Sequence, residues 1–269
     1  MNVLLGAGTA LRVKNVSKTF PADGGGVEAL RDVSFVVSEG AFFSVVGPSG
    51  CGKSTLLGLI AGLDQPDSGE IELGAESQEP SDRLGRVAYM PQKDLLLPWR
   101  SALDNASLGL ELTGVPRLDA RERAMELMKR FGLGTFADAY PAVLSGGMRQ
   151  RVAFLRTLLT DRMLMLLDEP FASLDALTRR TMQEWLLDVW SEFRRTVVLI
   201  THDVEEAVFL SDRVAVMSHR PGGIVYERDV GLDRPRSPDL VTAPEFVEIK
   251  RDLLERLGAT REGMHDASD

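Results

Sequence analysis

The sequence predicts an α/β fold: a parallel sheet covered by helices on both faces, preceded by an antiparallel β subdomain and interrupted by a helical insertion. Three observations carry this. Short runs that are almost entirely apolar, Ala41–Val46, Met163–Leu167 and Thr196–Ile200, are each followed by a loop and a helical pattern. A strand without polar alternation is buried on both faces, as in parallel sheets flanked by helices. Residues 11–20 and 27–37 instead alternate apolar and polar side chains and are rich in β-branched residues, the pattern of antiparallel strands with one wet face. Between the first apolar strand and the later ones lies a helix-rich stretch over 101–160.

The elements follow in order. Residues 1–10 are expected to be a flexible N-terminus. Pro21–Gly26 is a turn cluster between the two alternating strands. The buried strand Ala41–Val46 is broken by the glycines and proline of 47–52, and a helix is expected over Lys53–Leu63. Asp67–Gly69 turns into a strand at Glu70–Leu73, 76–85 reads as polar loop, and Arg86–Met90 as a strand. Asp119 is placed to cap a helix whose apolar stripe is Ala120, Ala124, Leu127, Met128 and Phe131 and which ends at Gly132 and Gly134. Beyond Met163–Leu167 come a helix at Leu177–Phe193, the strand Thr196–Ile200, a helix at Val204–Leu210 and a strand at Arg213–Met217. A tail from 231 opens Pro-rich, forms a helix over Pro244–Leu257 and ends in about a dozen residues expected to be disordered.

Composition narrows the function. The chain has 269 residues, and 31 Lys plus Arg against 40 Asp plus Glu give a formal net charge of −9. Such a chain lacks the general electrostatic drive toward polyanions, so nucleic acid is not an expected partner. A single cysteine, Cys51, excludes an internal disulfide and fits a reducing compartment. No positive residue precedes the short apolar patch Val3–Leu5, so a signal peptide is not expected, and no apolar run has the length of a membrane helix.

Gly47, Pro48, Ser49, Gly50, Cys51, Gly52, Lys53 and Ser54 match G-x-x-x-x-G-K-[ST], after an apolar strand and before a helix, the context that motif needs. The glycines let backbone N–H groups turn toward phosphate oxygens, and the helix N-terminus adds its dipole. Lys53 can reach β- and γ-phosphates, the Ser54 hydroxyl can ligate Mg²⁺, and Thr55 follows as a further candidate ATP-binding residue. Cys51 admits two readings: a small residue tolerated where the backbone does the binding, or a thiol activated by the helix N-terminus. Downstream, Asp168-Glu169-Pro170 places two carboxylates at the C-terminal end of a buried strand, the edge of an open α/β sheet where ligands bind. The first can hold Mg²⁺ and the second can polarise an attacking water.

Leu144-Ser145-Gly146-Gly147-Met148-Arg149-Gln150-Arg151 resembles the signature motif of ATP-binding cassette (ABC) ATPases. Gln92 in MPQ, Ser173-Leu174-Asp175, and Thr201-His202-Asp203 lie in that family's order and spacing over 11–220. The resemblance implies a RecA-like P-loop NTPase core with an N-terminal antiparallel β subdomain. It implies a cassette over 11–230, a helical subdomain over about 93–160 and a short tail over 231–269. It also implies residue roles: Phe20 stacks on adenine, and Gln92 touches Mg²⁺ and water. Ser145, Gly146 and Gly147 contact the γ-phosphate held by a second copy in a head-to-tail homodimer. Asp175 communicates across that dimer, and His202 is the switch histidine. Glu169, His202, Lys53 and Gln92 form the implied catalytic set, and Ser54, Gln92 and Asp168 the implied Mg²⁺ ligands. His219 and His265 are read as structural or solvated.

Segment Asp94–Trp99, then Ala102–Asn105, and Thr201–Gly223 resemble the nitrate, sulfonate, taurine and bicarbonate importer branch. That resemblance implies an ATPase subunit on the cytoplasmic face of a membrane. Its permease docks near an exposed Leu95–Leu97 and Trp99 patch, with an external solute-binding protein as an indirect partner. The solute is nitrate-, sulfonate- or taurine-like, or a pyrimidine-type precursor. A soluble, non-transport ABC ATPase is the alternative. The interval from Gly47 to Ser145 holds no long heptad array, unlike chromosome-associated relatives.

Overall fold

The computed structural model describes residues 8–22, 25–74, 76–77 and 80–262. The N-terminal half contains β1 (Thr9–Ala22), β2 (Gly25–Ser38), β3 (Phe42–Val46), α1 (Lys53–Ile60), β4 (Ser68–Leu73), β5 (Glu76–Ser77), α2 (Pro80–Arg83) and β6 (Ala88–Met90). Then come α3 (Ala102–Ala106), α4 (Leu108–Leu112), α5 (Arg117–Arg130), α6 (Gly146–Leu158), β7 (Leu164–Asp168), α7 (Ala176–Phe193), β8 (Thr196–Thr201), α8 (Val204–Leu210), β9 (Arg213–Met217), β10 (Ile224–Asp229) and α9 (Pro244–Glu262).

Two sheets result. β2-β1-β4-β5 is antiparallel, and the larger sheet has the order β10-β9-β3-β8-β7-β6, parallel from β9 to β6. The period-two geometry of a strand divides the core in two. Phe42, Val46, Met165, Leu167, Val197 and Leu199 face the layer holding α6, α7 and α8. Phe43, Val45, Leu164, Leu166, Val198 and Ile200 face α1 and the antiparallel sheet. Phe43 stacks on Phe35 of β2 with ring centroids 5.1 Å apart, which joins the two sheets. Among the described residues no helix is long and apolar enough to cross a membrane.

The structure corrects several boundaries. β1 starts at Thr9, so residues 9 and 10 of the expected flexible N-terminus are strand, and 1–7 lie outside the described residues. The expected polar loop over 76–85 contains β5 and α2. Pro116, not Asp119, precedes α5; Asp119 sits in its first turn, where a carboxylate complements the helix dipole. β10 was not expected: as an antiparallel edge strand with alternating exposure it lacks the apolar run of its neighbours.

The C-terminal segment is built into the body rather than trailing from it. α9 continues to Glu262, so part of the stretch expected to be disordered is helix, and 263–269 lie outside the described residues. Phe246, Ile249 and Leu253 bury one face of α9 in the larger core. Ahead of it, the Arg236 guanidinium donates to the carbonyls of Val208 (3.0 Å), Phe209 (3.0 Å), Ser211 (2.8 Å) and Leu232 (3.1 Å). Three of these are carbonyls at the C-terminal end of α8, which no intrahelical N–H can satisfy. Burial holds the Arg236 pKa down, to about 10. Arg236→Met is therefore expected to destabilise the fold by about 2–4 kcal/mol, read as a lower urea midpoint at unchanged slope; an unchanged midpoint contradicts this role.

Candidate active site

The strand registers assemble the site. β3 pairs with β8 so that Val46 lies beside Thr201, and β7 pairs with β8 so that Asp168 lies beside Ile200. Gly47, Glu169 and His202 are the next residues along three adjacent strands. They emerge together at the carboxyl edge of the sheet.

The phosphate loop is shaped by two glycines. Gly52 has φ 107°, a conformation that side chains avoid, and a Cβ there would lie 2.7 Å from the Ala29 carbonyl oxygen. A Cβ on Gly222 would lie 2.1 Å from the Cys51 carbonyl oxygen. Gly222 donates its N–H to Ala29 and accepts from Arg31, both at 3.0 Å, so β2 and the turn before β10 form the back wall of the loop. No side chain caps α1, and its first turn carries no acidic residue. Its leading N–H groups are free for an anion.

Lys53 is buried, and its Nζ donates to the carbonyls of Gly47 (2.8 Å) and Pro48 (2.9 Å). Asp168, 4% exposed, accepts from Ser54 Oγ at 3.1 Å and from Tyr89 OH at 3.3 Å. Burial pushes the Asp168 carboxyl up, against those two hydrogen bonds. Burial, and then the charge of Asp168, push the Tyr89 phenol up to about 12. Glu169 has φ 43° and donates its backbone N–H to the Ile200 carbonyl at 2.8 Å. Left-handed backbone at a β-strand end is a strained arrangement of the kind found at functional sites. Its side chain is the hub. Oε2 lies 3.1 Å from His202 Nδ1 and accepts from Gln92 Nε2 at 3.4 Å, and Oε1 lies 3.7 Å from Lys53 Nζ.

Six sequence-predicted residues thus converge: Lys53, Ser54, Gln92, Asp168, Glu169 and His202. Others lie on separate surfaces. Ser145 caps α6, accepting from Met148 N at 3.2 Å, and Gly146 and Gly147 pack toward Leu174 and Thr178. Asp175 caps α7 through Thr178 N at 3.0 Å, and that capping holds its carboxyl low. Phe20 is partly exposed on the antiparallel sheet, with Lys18 Nζ 5.3 Å from its ring centroid. Cys51 is buried, and burial pushes its thiol up despite the nearby Lys53. The geometry favours a passive space-filling role over an activated thiol.

The apolar patch after Gln92 is split. Trp99 and Leu95 are 72% and 58% exposed, whereas Leu96 is buried at 8%. Asn105 divides them by binding the Leu97 backbone, accepting from its N–H at 2.7 Å and donating to its carbonyl at 3.1 Å.

Sequence reasoning missed Tyr89, Gly222 and a buried pair behind His202. Tyr89 looks like one more strand residue, and Gly222 lies far along the chain from the loop it supports. In the buried pair, Gln183 Nε2 donates to Glu206 Oε2 at 3.1 Å. Burial, with the charge of Asp203 second, pushes the Glu206 carboxyl up to about 8.

Two predictions follow from these contacts. The folded protein retains a proton on Glu206 that an unfolded chain releases above the ordinary value of 4.5. Wild-type stability therefore falls from that pH up to about 8. Glu206→Gln removes this dependence, so its stability relative to wild type should rise steadily between pH 5 and pH 8 in urea titrations; parallel profiles would contradict it. Gly222→Ala should displace the Cys51 carbonyl and weaken nucleotide binding by at least about tenfold (roughly 1.4 kcal/mol), measured by titration with a fluorescent ATP analogue.

The chain is similar to several known proteins. A family model described as "ABC transporter" matches residues 30–172. A taurine import ATP-binding protein of Rhizobium johnstonii is 43% identical over 258 residues, covering 94% of this chain and 98% of the relative. A nitrate import ATP-binding protein of Synechococcus elongatus is 42% identical over 249 residues, covering 90% and 89%. An ATP-binding cassette solved as a dimer in a post-hydrolysis state with ADP and Pi superposes with a TM-score of 0.73 at 31% identity, covering 83% of this chain and all of that one. With its phosphate loop, acidic pair and His202 gathered at one sheet edge and these relatives aligned over most of its length, this chain belongs to the ABC transporter ATP-binding family.

Proposed function

We propose that the chain is the ATP-hydrolysing subunit of an ABC importer, working as a head-to-tail homodimer on a separate membrane permease. The observation that carries the reading is the convergence on Glu169, whose carboxylate meets His202, Gln92 and Lys53 at the end of β7. Glu169 is the only member of the group built to accept a proton while anchored on three sides. It orients a water for in-line attack on the γ-phosphate and takes its proton. Lys53 exchanges its loop carbonyls for β- and γ-phosphate oxygens, and His202 contacts the γ-phosphate from the neighbouring strand. Catalysis is then mostly positioning and charge stabilisation.

Mg²⁺ suits the remaining donors. Ser54 Oγ, the Asp168 carboxylate and the Gln92 side-chain carbonyl are hard oxygen ligands. A buried carboxylate pushed toward its neutral form by desolvation is one that a cation would stabilise. The ion would neutralise charge on the β- and γ-oxygens.

The dimer reading explains why Ser145, Gly146 and Gly147 form a second N–H-rich turn away from the phosphate loop: they would close on the γ-phosphate of the partner copy, with Asp175 beside them and Phe20 stacking on adenine. The dimeric form of the related ADP- and Pi-bound cassette supports this. Leu95 borders a cavity of about 620 Å³ that also involves Gln92 and Arg149, and the exposed Trp99 lies four residues further along the same segment. That position suits a permease helix at the cytoplasmic face of the membrane, fed by an external solute-binding protein. The named relatives support nitrate- or taurine-like solutes; sulfonates and a pyrimidine-type precursor belong to the same proposal.

Glu169→Gln keeps the hydrogen-bonding shape and removes the base. Turnover should fall by about a hundredfold or more, while ATP shifts the variant to a dimer on size-exclusion chromatography. Wild-type phosphate release by this variant would remove Glu169 from the base role.

A further inference from the structure

We infer that Arg179 is a positioning residue that ties the turn following Glu169 to the segment bearing His202. This rests on the reading of His202 as the switch residue. Arg179 stands in the first turns of α7. Its Nη2 donates to the Leu174 carbonyl at 3.0 Å, and its Nη1 lies 3.5 Å from Asp203 Oδ2. Leu174 ends a tight turn that starts at Glu169: Ala172 N donates to Glu169 O at 3.2 Å and Leu174 N to Phe171 O at 3.1 Å. Asp203 is equally committed on its own side. Its Oδ1 accepts from Glu205 N (2.9 Å) and Glu206 N (3.2 Å), and its N–H donates to Thr201 Oγ1 at 3.0 Å.

These contacts close a ring. It runs from Glu169 through the turn to Leu174, across Arg179 to Asp203, to the adjacent His202, and back to Glu169 through the 3.1 Å contact. Neither the turn nor the switch segment can shift without changing the Glu169–His202 distance or breaking the Arg179 fork. One turn further along α7, Gln183 repeats the connection to α8 through Glu206 at 3.1 Å. Residues four apart share a helix face, so α7 presents both fasteners to α8 together. The arrangement also reaches the signature turn, because a Cβ on Gly146 would lie 3.6 Å from Leu174 Cδ2. A partner copy that presses on residues 173–175 would therefore be felt at His202 through Arg179. A planar guanidinium serves this role because its fork can engage a carbonyl and a carboxylate at once, which a lysine cannot.

The test compares Arg179→Gln, Arg179→Lys and His202→Ala in the full-length chain. Steady-state ATP turnover is paired with ring ¹H–¹³C spectra of the three histidines, His202 being assigned by its loss in His202→Ala. Arg179→Gln should lower kcat at least about tenfold with KM for ATP within about twofold, and should shift the His202 ring signals while leaving those of His219 in place. Arg179→Lys, which keeps the charge and protects folding, should fall between the two. Wild-type kcat in Arg179→Lys, or unmoved His202 signals in either variant, overturns the inference. If His202→Ala is inactive while Arg179→Gln keeps its kcat, only this inference fails. If His202→Ala turns over like wild type, the reading of His202 fails first and takes this one with it.

Discussion

Everything at the candidate site depends on the register of three parallel strands. Because β3, β8 and β7 end level with one another, the phosphate loop, the acidic pair and the histidine are delivered to one edge. These strands are buried on both faces, so polarity alone does not forbid a slip by one residue. Size and a single polar group do. Phe42 packs edge-on to Trp190 at 5.9 Å on one face, and Phe43 stacks on Phe35 on the other. A one-residue slip exchanges the faces. It would also part the buried Ser44 hydroxyl from that of Ser211, its hydrogen-bond partner, leaving an unsatisfied polar group in the core.

The same edge solves an electrostatic problem. Lys53 is buried, and an unpaired buried ammonium is strongly unfavourable. Two backbone carbonyls and the Glu169 carboxylate at 3.7 Å compensate it. Asp168 is the reciprocal case, a buried carboxylate held by two hydroxyls and pushed toward its neutral form. The loop thus carries a cation already oriented for an anionic ligand, and a carboxylate under-compensated in the way that suits a divalent ion. Both features are consequences of burial at a strand end, not of local sequence alone.

Much of this was legible in the sequence because the informative signals are local. The bounds of α8 and β9 follow from apolar periodicity, and the phosphate loop from the spacing of Gly47, Gly52, Lys53 and Ser54 between a strand and a helix. What was not legible is what depends on distant partners. Gly222 is needed because it backs onto Cys51, some 170 residues away in the chain. β10 has no apolar run because it is an edge strand, and Leu96 is buried beside exposed Leu95 because the backbone at Leu95 turns into the left-handed region, φ 44°. Local pattern cannot report any of these.

The position of His202 illustrates the limit most sharply. It directly precedes the cap of α8, a helix of seven residues, shorter than one that holds itself together in water. Tertiary fasteners therefore set its direction. Asp203 caps its start, Lys250 of α9 meets Glu205 in its first turn at 2.5 Å, Gln183 reaches Glu206, and Arg236 gathers the carbonyls at its end. The first three of these partners act on the very turn that carries the histidine toward Glu169. The C-terminal helix also supplies Lys250 and Leu254 to a cavity of about 750 Å³ that it shares with Pro48, Ser49 and His202. The C-terminal helix is thus part of what orients His202, and α8 aims that residue because its own cap and three separate parts of the chain hold the helix still.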